Sequence, residues 1–269
     1  MGREILMSTA RATRTEGRAT KREIARRGRR SSHEEAPSGG VTIKDRDACW
    51  TVFVIDPLAV PLSALAARFR AATPNRLTGL SVLLALGAAA LFAARQLVAG
   101  AVIYQLSFVV DCMDGKVASM RQLKSSWGGF FDVSGDTVRF VACFTALAIV
   151  SAYGNLDAVH LLPLLLYPCA RFGLLGMAEA RPFAAGSRGT IAVAPRPWDV
   201  LRLAPRRATK PGTTVDAEAV ALTLGPVTGL TLEGFALAAI LHLMHATVLF
   251  AGSLRQAEVE RQRTAAAGE

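Results

Sequence analysis

Long apolar runs separated by short polar or basic stretches dominate the chain from Leu77 onward. A bilayer core about 30 Å thick needs roughly 20 helical residues to cross it, and six stretches approach that length. They are Leu77–Ala94, Val98–Val110, Phe130–Val150, Ala158–Met177, Ala217–Leu230 and Phe235–Ala251. The second becomes adequate if its helix continues to Asp114, which makes the predicted span 98–114. The fifth contains Gly225-Pro226, a pair that predicts a kink. Ahead of them, in residues 48–72, Leu62, Leu65, Ala66 and Phe69 recur at helical spacing with Arg68 and Arg70 off the stripe. With Pro61 suited to a first helical position, this predicts an amphipathic helix lying in the membrane interface. The predicted fold class is therefore all-α: a polytopic membrane protein of six transmembrane helices preceded by an amphipathic juxtamembrane helix.

The flanks read differently. Residues 1–47 are polar and basic, with a run from Arg26 to Arg30 and a Pro/Ser/Gly stretch at Pro37 to Gly40, and are expected to be disordered. They lack the apolar h-region of a secretory signal. The bland readings are a solvated tail or a true start at Met7; the functional one is attraction to anionic lipid. Residues 178–216, rich in Pro, Gly and Arg, show no periodicity and are expected to be a functional or mobile loop, or a plain connector. A membrane domain of 48–254 is thus followed by a polar tail, 255–269.

Of the 269 residues, 51% are hydrophobic, and the mean hydropathy is +0.32, which fits one membrane domain. The net charge of +10 is distributed between spans, as the positive-inside rule describes, and nucleic acid is not an expected partner. The tail, the stretch Gly115–Gly129 (Lys116, Arg121, Lys124), the 178–216 loop and the end (Arg255, Arg261, Arg263) would be cytoplasmic, with Arg95 opposite. Both termini then lie inside, in a plasma or inner membrane. Cys49, Cys112, Cys143 and Cys169 show no metal-binding spacing and read as small apolar residues.

Candidate chemistry sits where the second and third spans meet. Asp111 pairs with Asp114 at i, i+3, and Asp132 with Asp136 at i, i+4, so each pair shares a helical face. Each acid at a bilayer centre costs about 2.5–3.5 kcal/mol, so four are tolerable only in a wet cavity or on cations. Hard divalent ions take carboxylate oxygens and fill their shells with phosphates. Two such ions about 3.5–4 Å apart can clamp an in-line displacement.

Asp111, Asp114, Gly115, Ala118, Gly128, Asp132 and Asp136 stand at the spacing D-x2-D-G-x2-A-R-x8-G-x3-D-x3-D. In this the chain resembles the CDP-alcohol phosphotransferase superfamily, with Ser119 where the pattern has Arg. Thr73-Pro74-Asn75-Arg76-Leu77-Thr78 also resembles the family's entry to its first span. The resemblance reaches from about Trp50 to the last span, but only Asp111–Asp136 is specific. It implies transfer of a substituted phosphate from a CDP-linked donor, such as CDP-diacylglycerol, to an acceptor alcohol with release of CMP, in phospholipid biosynthesis. It further implies two Mg²⁺ or Mn²⁺ ions on Asp111, Asp114, Asp132 and Asp136, with Asp136 also the general base, and a homodimer.

By the same resemblance Gly115, Ala118 and Gly128 pack against CDP, a role glycine's lack of a side chain suits; helix packing is the alternative. Ser119 offers a neutral hydroxyl in place of a guanidinium, and Lys116, on the same face, is the expected substitute charge, whereas Arg121 points elsewhere. Arg139 continues the Asp132/Asp136 face as an ion-pair partner or phosphate contact. Arg171 is an acceptor-phosphate contact or a snorkelling residue. His242 and His245 are expected to pack. A cation-coupled transporter and a non-catalytic CDP-lipid-binding relative are the rival readings.

Overall fold

The computed structural model describes residues 40–153, 157–179, 189–209 and 213–267. Expectations for residues 1–39, and for residues 180–188 and 210–212 of the 178–216 loop, fall outside them. Chain order runs β1 (Val41–Lys44), a π-helical turn (Thr51–Ile55) leading into α1 (Asp56–Ala66), α2 (Pro74–Ala93), α3 (Leu97–Met120), α4 (Ser126–Ala152), α5 (Ala158–Glu179), β2 (Thr190–Val193), α6 (Pro197–Arg207), α7 (Thr214–Ala219), a second π-helical turn (Val220–Leu224), α8 (Gly225–Thr228) and α9 (Thr231–Ala267).

Local chemistry sets the helix starts. Pro74 opens α2 in its first turn, where a missing N–H costs nothing. Ser125 caps α4, its hydroxyl accepting the Gly128 N–H at 3.0 Å. That cap starts the helix four residues earlier than the apolar run does, and α3 continues to Met120. The stretch Gly115–Gly129 is therefore no loop. Only residues 121–125 leave the helices, with Gln122 at φ 56° and the Arg121 guanidinium donating to the carbonyls of Ala67 and Ala72 at 2.9 and 3.0 Å.

Burial on the long helices is one-sided and inverted in size. On α2, Ala85, Ala88 and Phe92 are buried while Leu80, Leu83 and Leu86 are exposed. Large apolar side chains turned outward along several helices make a lipid-facing surface. Among the described residues four helices are long and apolar enough to cross a membrane: Pro74–Ala93, Leu97–Met120, Ser126–Ala152 and Thr231–Val259. Helix α5 has 22 residues and carries Pro163 and Pro168 within it. The expected fifth span instead runs from Thr214 to Thr228, about 22 Å at 1.5 Å per residue, and stops at Gly229 in the left-handed region, φ 77°. Gly225 produces no break there, because its backbone stays helical.

The core of the bundle joins α2, α3, α4, α5 and α9 through Phe92, Tyr104, Phe140, Leu147, Tyr167 and Phe235. His242 stacks on Tyr167 within it, ring centroids 5.6 Å apart. A second, smaller core lies at the far end of α3. There β1 and β2 pair antiparallel, Val41 opposite Val193 and Ile43 opposite Ile191. Val41, Ile43 and Val193 pack with Val60 of α1 and Val200 of α6, and Met120 at the end of α3 lies against them. Residues 41–44, assigned from composition to a disordered tail, are thus a strand, and the supposedly aperiodic loop carries a strand and a helix. Both were hidden because a four-residue strand has no stable meaning until its distant partner is in place. The end of the chain likewise differs from a bare polar tail: α9 continues to Ala267, through good helix formers such as Glu258, Arg261 and Gln262.

Helix α1 exposes Leu58, Leu62 and Leu65 while burying Asp56, Ala59, Val60 and Ser63. The apolar stripe is where the spacing places it, but Pro61 lies inside the helix and Pro57 takes the first turn.

Candidate active site

Three of the four expected acids converge. Asp111 and Asp114 lie one turn apart on α3, Asp132 stands on α4, and one carboxylate oxygen from each falls within 4.8 Å of the others. Helix α2 packs against both α3 and α4 and presents two hydroxyls to the group. Thr78 hydrogen-bonds Asp114 Oδ2, and Ser81 Oγ lies 3.3 Å from Asp111 Oδ1. Gly135 permits this close approach of α2 and α4: a Cβ there would meet Thr78 Cγ2 at 3.1 Å and Val82 Cγ2 at 3.4 Å.

Asp136 stands apart from the three. Its Oδ1 accepts from Arg139 Nη2 at 2.8 Å, and Arg139 Nη1 lies 3.6 Å from Asp111 Oδ2. The guanidinium is 1% exposed and has the Phe108 ring 5.2 Å from Cζ. The ion pair read from the Asp132/Asp136/Arg139 spacing is present and spans two helices.

Space opens in front of Gly115 but not of Gly128. A Cβ on Gly115 would meet no atom within 4 Å, and one on Gly128 would meet Ser125 Oγ at 3.2 Å and Asn75 Oδ1 at 3.9 Å. Ala118 and Ser119 follow on α3, half-buried. Lys116, expected to compensate for Ser119, is committed elsewhere. Its ammonium lies 3.0 Å from Asp56 Oδ1 and donates to the Cys112 carbonyl at 3.1 Å. Asp56 Oδ2 in turn accepts from Arg207 Nη2 at 2.8 Å. The helix periodicity that puts Lys116 near Ser119 could not show that α1 brings a buried carboxylate to meet it.

Arg171 also gains a partner. Its Nη2 and Nε lie 3.0 and 3.3 Å from Glu218 Oε2, and its Cζ sits 3.9 Å above the Phe140 ring. Glu218 hydrogen-bonds Tyr104 as well. Arg171, expected as a phosphate contact or a snorkelling cation, is one member of a part-buried network joining α3, α5 and α7. Glu218, Asp56, Thr78 and Ser81 were not singled out as site residues from the sequence. For the two acids a signal existed, since a lone carboxylate in an otherwise apolar stretch needs a partner; the hydroxyls of Thr78 and Ser81 carry no such mark.

The donor set Asp111, Asp114 and Asp132 is carboxylate oxygen alone, which suits hard divalent cations over softer metals.

Residues 71–196 match the family model described as CDP-alcohol phosphatidyltransferase, and Asp111 to Asp136 lie inside that segment. No curated protein matches the chain. A solved structure of phosphatidylinositol phosphate synthase from Mycobacterium tuberculosis with CDP-DAG bound is similar to it at a TM-score of 0.48 and 20% identity, over 72% of this chain and 92% of that chain.

Proposed function

We propose that the protein transfers a substituted phosphate from a CDP-linked donor to an acceptor alcohol, releasing CMP, as a step of phospholipid biosynthesis. The observation that carries this reading is the meeting of Asp111, Asp114 and Asp132 across two helices, beside the open space at Gly115. Those three carboxylates are the proposed holders of Mg²⁺ or Mn²⁺, which when bound neutralises diphosphate charge and supports the leaving oxygen.

The chain's own residues do the rest. Thr78 and Ser81 fix the orientation of Asp114 and Asp111. Gly115 leaves room for a nucleotide to lie across the backbone of α3, with Ala118 and Gly128 as the proposed small neighbours. The acceptor hydroxyl oxygen forms a bond to the non-cytidine phosphorus, the bond from that phosphorus to the bridging oxygen breaks, and CMP carries that oxygen away. Asp136 is the proposed recipient of the hydroxyl proton: Arg139 pins its Oδ1, and its side chain is 46% exposed. Arg171, tied to Glu218, orders the bundle rather than reaching an acceptor.

Lys44, Arg121, Arg202 and Arg206 lie on or beside the small β1–β2 core at the end of α3, and the positive-inside rule makes that end cytoplasmic. A soluble product such as CMP would leave on that side. Helix α1, with Leu58, Leu62 and Leu65 outward, then rests in the inner interface, α5 and the 214–228 helix complete a six-span set, and homodimerisation follows the superfamily's habit.

The test is release of CMP from CDP-diacylglycerol by purified protein, across a panel of alcohols with lipid products identified by mass. Release should require Mg²⁺ or Mn²⁺, stop with chelator, and fall at least about 100-fold in Asp136→Asn. Folded protein that releases no CMP with any alcohol, or release indifferent to divalent ions, refutes the reading.

A further inference from the structure

Ser119 leaves the proposed donor's diphosphate without the guanidinium that the family pattern places on α3, and three neighbouring cations are already held. Lys116 is paired with Asp56, Arg121 with the carbonyls of Ala67 and Ala72, and Arg139 with Asp136. Lys44 is differently placed. It ends β1, where Val41 and Ile43 turn into the small β1–β2 core and Lys44 turns out of it. Met120, the residue after Ser119, packs against that core, so the strand and position 119 meet at one end of α3. The backbone of Lys44 is fixed twice, by pairing with Thr190 on β2 and by its carbonyl accepting from Arg207 Nε at 3.0 Å. Its side chain is 55% exposed, and its ammonium stands 3.7 Å from Asp47 Oδ2, a surface pair too long for a hydrogen bond and of little strength. Among the described residues, Lys44 and Arg139 are the cations close enough to Asp132 to act on its carboxylate.

From this we infer that Lys44 binds the diphosphate of the CDP-linked donor beside Asp132, supplying from β1 the positive charge that Ser119 does not supply from α3. The inference rests on the transferase reading for the identity of the ligand. An ammonium is a compact charge on a flexible four-carbon stem, so it can exchange Asp47 for phosphate oxygens while β1 stays in place. Lys44 lies outside the segment 71–196 that matches the family model, so this contact is one that the acid pattern on α3 and α4 does not carry.

The test is calorimetric titration of the full-length protein in detergent with CDP in the presence of Mn²⁺, and separately with Mn²⁺ alone. Lys44→Gln should weaken CDP binding about tenfold, the loss of one charge-assisted hydrogen bond. Mn²⁺ alone should bind as tightly as in the wild type or more tightly, because a cation beside Asp132 has gone. Arg46→Gln, the same loss of charge two residues along, should leave CDP binding unchanged, and Ser119→Arg added to Lys44→Gln should recover most of the tenfold loss. Unchanged CDP affinity in Lys44→Gln overturns the inference, as does an equal loss in Arg46→Gln, which would show a diffuse field in place of a contact. Weakening of both CDP and Mn²⁺ would make Lys44 a support of the fold, and overturns it too. A double variant that stays tenfold weak removes the link to Ser119. Each of these results leaves the transferase reading standing, whereas a folded wild type that binds neither CDP nor Mn²⁺ ends both.

Discussion

Asp56→Asn tests how the small β1–β2 core is joined to the helix that carries the acids. Asp56 is shared by Lys116 of α3 at 3.0 Å and Arg207 of α6 at 2.8 Å. The Asp56 and Arg207 side chains are each 2% exposed, against 14% for Lys116. Removing one partner of a buried pair costs about 3–5 kcal/mol because the remaining charge is left uncompensated. Lys116, on a flexible stem, can reach toward water, so most of the loss falls on Arg207. Its Nη1 already has no hydrogen-bond partner and its Nε keeps the Lys44 carbonyl at 3.0 Å. The expected cost is therefore at the lower end, about 3 kcal/mol. Thermal unfolding in detergent gives the global loss, and limited proteolysis between residues 189 and 213 reports release of β2 and α6. In Asp56→Asn/Arg207→Met, where no orphan cation remains, at least about 1 kcal/mol should return. A single-variant loss below about 1 kcal/mol, or strictly additive effects, would show that the triad does not hold that core.

Gly135→Val should destabilise by about 1–3 kcal/mol. It would also weaken Mn²⁺ binding, because the added carbon meets Thr78 Cγ2 at 3.1 Å and displaces the hydroxyl that holds Asp114; unchanged Mn²⁺ affinity would remove Thr78 from the site. Glu218→Gln leaves Arg171 facing a neutral amide with only the Phe140 face for charge, and thermal unfolding should register about 3 kcal/mol, with the KM for the acceptor unchanged. A raised acceptor KM would return Arg171 to the substrate site. Ser119→Arg restores the guanidinium of the family pattern, and since a charged hydrogen bond contributes about 1.5–3 kcal/mol, the KM for the CDP-linked donor should fall roughly tenfold or more. An unchanged KM would place residue 119 away from the diphosphate.

The grouping of the candidate acids was legible in part because their geometry is mostly local. Asp111 and Asp114 are one helical turn apart, so any helix puts them on one face, and the reach from Asp132 to Asp136 and Arg139 is equally short. The long apolar runs set out the membrane helices for the same reason: a bilayer imposes length and composition on a segment without reference to its neighbours. What the sequence withheld were partners separated by many positions. Lys116 finds Asp56 and Arg171 finds Glu218 only once helices far apart in the chain pack together. The pairing of β1 with β2 joins segments about 150 residues apart; neither strand has enough residues to declare itself. Likewise, spacing gives Arg139 a neighbour in Asp136 but not the second carboxylate, Asp111, that α3 brings across to it. Periodicity fixes which side chains share a face, while the packing of faces decides which charges neutralise one another.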